Sequence, residues 1–429
     1  MRRCAFLVAC LVVPCVMSTT SFAQTPISAA QAAAGWKLLA SGNDTSAWRG
    51  YKKAGFPAKG WSLADGILKV EAKGGGGDLI TKEQFGDFEF ALEFRCSEKA
   101  NSGIIYRCSE AQGAAWQTGP ELQVLDDGGH QPAPEAKHAA GALYDMIAAS
   151  GDKALKPAGE WNHARVRWSD GLLQHFINGV KVVEVRTDGE EWKELIAKSK
   201  FKDYAGFGMQ EKGHISLQEH GDTVEYRNIM VRDLDAPLAG EVALFNGKDL
   251  TNWTFFLNDN GKMEDVWEVK DGMIICKGSP AGYIRTKESY KNFVLRLDWR
   301  FNPVTKKAGN SGVLMHIQAP DKVWPRSIEA QLQSERAGDF WNIEDMKMTT
   351  DAARLKGRNT KHLKANEQPV GLWNHYEITM NDGTVILSVN GEVVNSATDI
   401  EGLGGFIGLQ SEGTEIHFKN VTIVPIAGK

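Results

Sequence analysis

The stretch NSGIIYRCSEAQGAAWQTGPELQVLD (Asn101–Asp126) returns later in the chain as NSGVLMHIQAPDKVWPRSIEAQLQ (Asn310–Gln333), and that pair decides the fold. In the first copy two apolar runs of strand type, Gly103–Tyr106 and Leu122–Leu125, flank a loop containing Trp116. Strand side chains alternate between faces, so Glu121 and Gln123 share one face while Leu122 and Val124 share the other. Glu329 and Gln331 occupy the same places in the second copy. A bulge after Leu125 would bring Asp126 onto the polar face, and bulges are common beside active sites. The opening Asn101-Ser102-Gly103 also reads as a simple turn.

Working outward, the flanking blocks recur in the same order. LLASGNDTSAW (Leu38–Trp48) matches ALFNGKDLTNW (Ala243–Trp253), WSLADGIL (Trp61–Leu68) matches WEVKDGMI (Trp267–Ile274), and ITKEQFGDFEFALEFR (Ile80–Arg95) matches RTKESYKNFVLRLDWR (Arg285–Arg300). GEWNHARV and GLWNHYEI follow, then LQEHGDTVEYRNI (Leu217–Ile229) against LQSEGTEIHFKNV (Leu409–Val421). Such self-similarity marks a duplicated domain. The expected boundaries are 34–233 and 241–427, with a linker at 234–240.

Each half reads as antiparallel strand. Phe88, Phe90, Leu92 and Phe94 alternate with Glu89, Glu93 and Arg95, the pattern of strands with one face on a core. Asn-Gly at 178–179 and 390–391, and Asp-Gly at 65–66 and 271–272, are hairpin signals. Helix is scarce, with Glu190–Lys200 the clearest candidate. The expected fold is all-β, one β-sandwich per half.

The 429 residues suit two or three domains, and 24% charged with 42% hydrophobic residues is an ordinary globular composition. A net charge of −5 gives no electrostatic case for nucleic acid. Residues 1–23 read as a cleaved signal peptide: Arg2 and Arg3, the apolar run Ala5–Met17, and Ser21-Phe22-Ala23 before Gln24. That run is too short to span a bilayer, so the expectation is an exported protein, periplasmic or extracellular, with no membrane span. Beyond it remain Cys96, Cys108 and Cys276, too few and too scattered for a disulfide framework or a structural zinc site.

NSGIIYR, the E-x-Q strand, GALY (Gly141–Tyr144), GEWN, the H-x-x-N-G of His175–Gly179 and QEHGD-x-VEYRNI together resemble the 3-keto-disaccharide hydrolase-like family. The second half is similar to another branch of it through GYIRTK, NSGVLMH, WPRSIEAQLQ, GDFW (Gly338–Trp341), GLWNHYEI and LQSEG. The resemblance implies two tandem concanavalin A-like jelly-roll sandwiches whose concave faces bind carbohydrate, in exported bacterial proteins of glycan catabolism.

A sugar across the first concave face would meet Glu93, Arg95, Arg107, Glu121, Gln123 and Asp126, with Gln218, Glu219, His220 and Asp222 arriving from the near-terminal motif. Tyr106, Trp116 and Tyr144 are aromatic candidates. The second domain offers His316, Glu329, Gln331, Gln410 and Glu412, with Trp324 and Trp341. The activity implied is cleavage of 3-keto-glycosides: a C3 ketone acidifies the C2 proton, a base removes it, and the C1 aglycone oxygen is expelled. This needs a base, a positive group at the C3 oxygen and an acid for the leaving group. His220 or Glu121 could serve as base. Arg107, or a divalent metal held by carboxylate and histidine, could serve as electrophile. Glu121, His220, Arg107 and Asp126 are therefore the catalytic candidates, and the first domain is the expected catalytic one.

Two alternatives stay open. A sandwich glycosidase with two carboxylates would need alternate acids on its strand, where this chain has Gln123 and Gln331. A non-catalytic carbohydrate-binding protein would use the same faces without turnover. Trp161 and Trp373, with His163 and His375 beside them, read as core, as do His138 and His214. No flavin or nicotinamide fingerprint is present, so a keto group would be installed by a separate sugar 3-oxidoreductase.

Overall fold

A computed structural model describes residues 26–130 and 135–427. The expected signal peptide, residues 1–23, lies outside the described residues. The chain is nearly all antiparallel strand and forms two jelly-roll sandwiches. In the first, the front sheet runs Trp48–Gly50, Leu79–Thr81, His214–Leu217, Asn101–Cys108, Glu121–Leu125 in spatial order. The back sheet centres on Phe88–Cys96, flanked by Asn162–Ser169 on one side and Val224–Asp233 on the other. The second domain repeats this with Phe293–Phe301 between Asn374–Asn381 and Ile416–Pro425 at the back.

Alternation builds each core. Ile104, Tyr106, Leu122, Val124, Ile215 and Leu217 point inward from the front sheet onto Phe88, Phe90, Leu92 and Phe94 of the back sheet. The hairpins close where turn chemistry requires: Asn178-Gly179 has φ of 48° and 82°, and Asn390-Gly391 has 49° and 80°. Both residues are left-handed, as in a type I′ turn, which Asn and Gly tolerate best. The helix occupies Glu190–Lys198 and buries Trp192. Cys96, Cys108 and Cys276 are buried free thiols. Among the described residues no helix is long and apolar enough to cross a membrane.

The second front sheet reaches further than the first, with eight strands against five. Beyond Ser327–Gln331, the second front sheet continues into Phe340–Ile343 and a hairpin of Leu355–Lys356 with Asn359–Thr360. Beyond Glu121–Leu125 the first front sheet has only the segment 141–144, which bonds to that strand through a bridge at Leu143.

The back sheets of the two domains meet through a charged layer. Arg232 donates to Glu89 at 2.6 and 2.8 Å and to Glu377 of the second domain at 2.6 and 2.9 Å. Arg165 pairs with Glu89 and reaches the Gly391 carbonyl at 3.0 Å, while Lys181 pairs with Glu392 at 2.7 Å. A small apolar cluster of Ala34, Leu238, Val294, Val424 and Ile426 extends the contact. Because back faces oppose each other, the two front faces turn outward, and each front-face cavity is lined by one domain alone.

The arginines around buried Glu89 hold its carboxyl at about 2, against the opposing effect of burial. A depressed carboxyl contributes stability that is complete above the unfolded value near 4.5 and is lost as pH falls toward 2. Arg232→Met should lower the urea unfolding free energy at pH 7 by about 3 kcal/mol, since one cation is removed from two buried carboxylates. The wild-type protein should lose stability on acidification between pH 4.5 and 2, and Glu89→Gln should flatten that part of the profile.

Candidate active site

Glu121–Leu125 pairs with Asn101–Ile105, which sets Glu121 opposite Ile105 and Gln123 opposite Gly103. The NSG segment is thus the start of a strand, Asn101–Cys108, and not a turn. Its three residues have separate tasks. Asn101 Oδ1 accepts from Gln123 Nε2 at 3.2 Å. Ser102 Oγ donates to the Gln218 carbonyl at 2.7 Å, anchoring the QEHGD motif. Gly103 leaves room for Glu121: a Cβ there would fall 2.9 Å from the Glu121 Cγ and closer still to its carboxyl oxygen. The second copy agrees. Ser311 donates to the Gln410 carbonyl at 2.9 Å, and a Cβ at Gly312 would fall 2.8 Å from the Glu329 Cγ.

Laid against the sheet, the glutamate is desolvated. Burial pushes the Glu121 carboxyl up to about 8, with Lys200 opposing and Asp78 reinforcing the shift. An acid so placed is protonated at neutral pH. Asp78, directly before the Leu79–Thr81 strand, is raised by burial to about 6, against the opposing Glu219 backbone N–H and His220 and with the Glu219 carboxylate adding to the rise. Its Oδ1 accepts the Glu219 backbone N–H at 3.0 Å, so the QEHGD motif also fixes this second acid. Asp222, of the same motif, accepts the Asn101 backbone N–H at 3.0 Å. Lys200 Nζ stands 4.3 Å from the Tyr144 ring centroid and 5.0 Å from that of Trp116. Asp78, Gln218, Glu219, exposed His220 and Trp116 line a cavity of about 400 Å³ with Tyr51 and Lys53.

The second domain opens a larger cavity of about 600 Å³, lined by Glu329, Gln331, Glu412, Trp324, Trp341 and Asn310 among others. Burial raises Glu329 to about 8, and Glu412 reinforces this. Glu412 itself is raised by burial and accepts from Asn310. Glu329 Oε1, Asn310 Oδ1, Asn342 Oδ1, Trp341 Nε1 and both amide atoms of Gln410 are buried without partners. Buried polar atoms are normally satisfied, so this concentration sets the floor of the cavity, where Asn310, Glu329, Trp341 and Asn342 lie, apart from ordinary core. Where Asp78 stands in the first domain, the second has Tyr283, whose hydroxyl donates to Asp321 at 2.9 Å.

Several expected site residues lie elsewhere. Glu93 and Arg95 are on the outer face of the back sheet, where Glu93 accepts from Arg227 at 2.7 Å and Arg95 donates to Glu225 at 2.7 Å. Arg107 has φ +46°, and the strand register shifts beside it, so its side chain leaves the concave face. It donates to the Gly86 carbonyl and to Asp87, both at 2.8 Å, with its guanidinium 3.9 Å from the Trp168 centroid. His316 behaves alike, with φ +54° and Nε2 2.9 Å from the Lys291 carbonyl. Tyr106 points into the core, its hydroxyl 2.6 Å from His175 Nε2. Asp126 follows the strand without the expected bulge and accepts the Lys99 backbone N–H at 2.9 Å, closing the turn. Trp161 and Trp373 are half-buried on the back sheets rather than core, each under two cations.

Sequence reasoning missed Asp78 and Lys200. The glycine run at 74–77 directly before Asp78 was the available signal, since such a run lets backbone and ligand approach closely. Lys200, which opens the short 3-10 turn Lys200–Asp203 after the helix, carries no periodic signal. Among the described residues no three His, Cys, Asp or Glu side chains cluster closely enough to hold a metal ion, so the candidate divalent cation finds no fitting ligand set there.

The 3-keto-alpha-glucoside-1,2-lyase-like domain model matches residues 35–232 and again 240–424. A 3-keto-disaccharide hydrolase of Bacteroides thetaiotaomicron is 34% identical over 232 residues, covering 47% of this chain and 79% of that protein. A crystal structure from Parabacteroides distasonis, provisionally described as a glycosyl hydrolase, is 28% identical with a TM-score of 0.44, covering 47% of this chain and 95% of that one. The carbohydrate-binding module CBM66 of Bacillus subtilis is 18% identical with a TM-score of 0.31, covering 41% and 96%.

Gly103→Ala should displace the Glu121 carboxyl toward water while the flexible side chain absorbs most of the clash. The expected cost in unfolding free energy is about 1–3 kcal/mol, and the Glu121 titration should fall toward the ordinary glutamate range. Chemical denaturation together with carboxyl titration by carbon-13 NMR reads both effects.

Proposed function

Because the chain belongs to the 3-keto-alpha-glucoside-1,2-lyase-like domain family, in two copies along its length, we propose that it is an exported carbohydrate-active hydrolase that cleaves 3-keto-glycosides in its first domain and holds sugar in its second. The observation that carries this reading is the split pair of acids, Glu121 raised to about 8 and Asp78 to about 6, with the Lys200 ammonium acting on Glu121. Between those values one carboxyl is ionised and the other protonated, which gives a base and an acid at one pH.

With the ring stacked near Trp116 and Tyr144, ionised Asp78 takes the C2 proton. The C2–H electron pair moves toward C3, and the negative charge that develops on the C3 oxygen is met by Lys200. As that charge returns, a C1=C2 double bond forms, the C1–O bond to the aglycone breaks, and Glu121 gives its proton to the departing oxygen. Water then adds, hydroxyl to C1 and proton to C2, so the net reaction is hydrolysis. Lys200 takes the part first considered for Arg107, and Glu121 becomes the acid rather than the base. His220, exposed at the cavity mouth, is placed to exchange protons with solvent. The C3 ketone is supplied by a separate sugar oxidoreductase.

The second domain lacks this arrangement. Its glutamate pair is pushed upward on both members, with no ammonium contributing, while Trp324 and Trp341 give its larger cavity aromatic surfaces. These features support binding rather than turnover there.

The test is a chromogenic 3-keto-glucoside beside its unoxidised parent, across pH. Release from the keto compound alone is expected, with kcat/KM rising through pH 6 as Asp78 ionises and falling through pH 8 as Glu121 loses its proton. Asp78→Asn and Glu121→Gln should each lower kcat/KM by about 10²–10⁴. Equal release from the parent would favour a two-carboxylate glycosidase. No release from either would favour a binding protein.

A further inference from the structure

The second domain carries a basic hairpin that the proposed cleavage chemistry does not use. Between Asp351 and Glu367 the sequence has Arg354, Lys356, Arg358, Lys361 and Lys364 and no acid. Arg354 is tied to Asp351 at 3.0 Å and Lys364 to Glu392. Lys356, Arg358 and Lys361 have no ion-pair partner among the described residues. Gly357, with φ +61°, turns the hairpin so that these cations project from the sheet edge.

Register connects that edge to the cleft. Glu329 lies opposite Trp341, Trp341 opposite Asn359, and Asn359 opposite Lys356, one row across four strands. Directly opposed residues share a face, and strands lie about 4.8 Å apart, so the row spans about 14 Å from glutamate to lysine. Arg358 and Lys322 line the cavity that holds Glu329 and the tryptophans. A second cavity of about 680 Å³, lined by Arg336, Lys356, Lys361 and His362, shares Gln333 with the first.

Acids offset these cations only in part, since of those lining the second cavity Glu335 is the exposed one without an ion pair among the described residues. Glu344 is tied to Lys322, and Asp339 is enclosed by Arg336 and His362. Glu412 accepts from Asn310. The first domain has no equivalent hairpin, because beyond the glutamate strand its front sheet carries only the segment 141–144.

Resting on the reading of the second domain as a sugar-holding cleft, we infer that its ligand is an acidic glycan: a short oligosaccharide seated on Trp341 and Trp324, with a carboxylate or sulfate reaching Lys356 and Arg358. The aromatic wall takes the ring faces, and the Asn310 and Asn342 amides that line the cavity take hydroxyls. The hairpin selects charge a few sugar units from the ring over Glu329.

Calorimetric titration of the full chain with a neutral, a uronate-containing and a sulfated oligosaccharide of equal length tests this. An acidic ligand should bind at least about tenfold tighter than the neutral one at low salt, and 0.5 M salt should remove most of that advantage. The tighter acidic ligand identifies the group. Lys356→Gln/Arg358→Gln should bring acidic and neutral ligands within about twofold, and Trp341→Ala should weaken both. Neutral sugar bound with no acidic preference, or a preference that survives the double substitution, overturns this inference and leaves the sugar-holding cleft standing. Absence of binding by all three overturns both.

Discussion

The site depends on one close approach: a glutamate side chain lying across a glycine of the neighbouring strand. At Gly103 and again at Gly312 a single added carbon would meet the glutamate stem within 3 Å. The contact removes the carboxyl from water without giving it a strong partner, and that desolvation raises Glu121 and Glu329 alike to about 8. The serine before each glycine ties this strand to the next, so the second group of polar residues is fixed relative to the first. The NSG tripeptide therefore sets the protonation state of the site as well as its shape.

Duplication then allowed the two copies to diverge around a common centre. In the first domain an aspartate before the Leu79–Thr81 strand and a lysine opening the short helical turn Lys200–Asp203 act on the glutamate, giving acids of unlike strength beside a cation. In the second, the aspartate position is Tyr283, Trp341 stands beside the glutamate where Tyr144 does in the first, and added strands bring the basic hairpin. The charged layer between back sheets points the two faces outward, so each can serve a different stretch of a sugar chain.

Much of this was legible because it repeats or alternates. The doubled blocks, the Asn-Gly hairpins and the inward Phe88, Phe90, Leu92 and Phe94 follow from local rules that the core enforces. The E-x-Q strand was readable as a site because an acid within an apolar strand needs a reason to be there. What failed did so for identifiable causes. Arg107 and His316 sit at positive φ where the register shifts, and a strand irregularity cannot be counted from residue spacing. Glu93 and Arg95 were placed on the right face of a strand but in the wrong sheet, since alternation does not say which sheet a strand joins. Tyr106 is core by the same alternation that puts Gly103 and Ile105 outward. Asp78 and Lys200 enter from a glycine run and a short helical turn, where only the tertiary fold decides proximity.

The central claim is that Glu121 is a neutral acid at physiological pH because the sheet beneath it excludes water. Carbon-13 NMR titration of the glutamate carboxyls in the full chain, with Glu121 assigned by its loss in Glu121→Gln, measures this directly. A midpoint near 8, falling in Gly103→Ala, is expected. A midpoint near the ordinary value of about 4.5, unchanged by the added methyl, would contradict it.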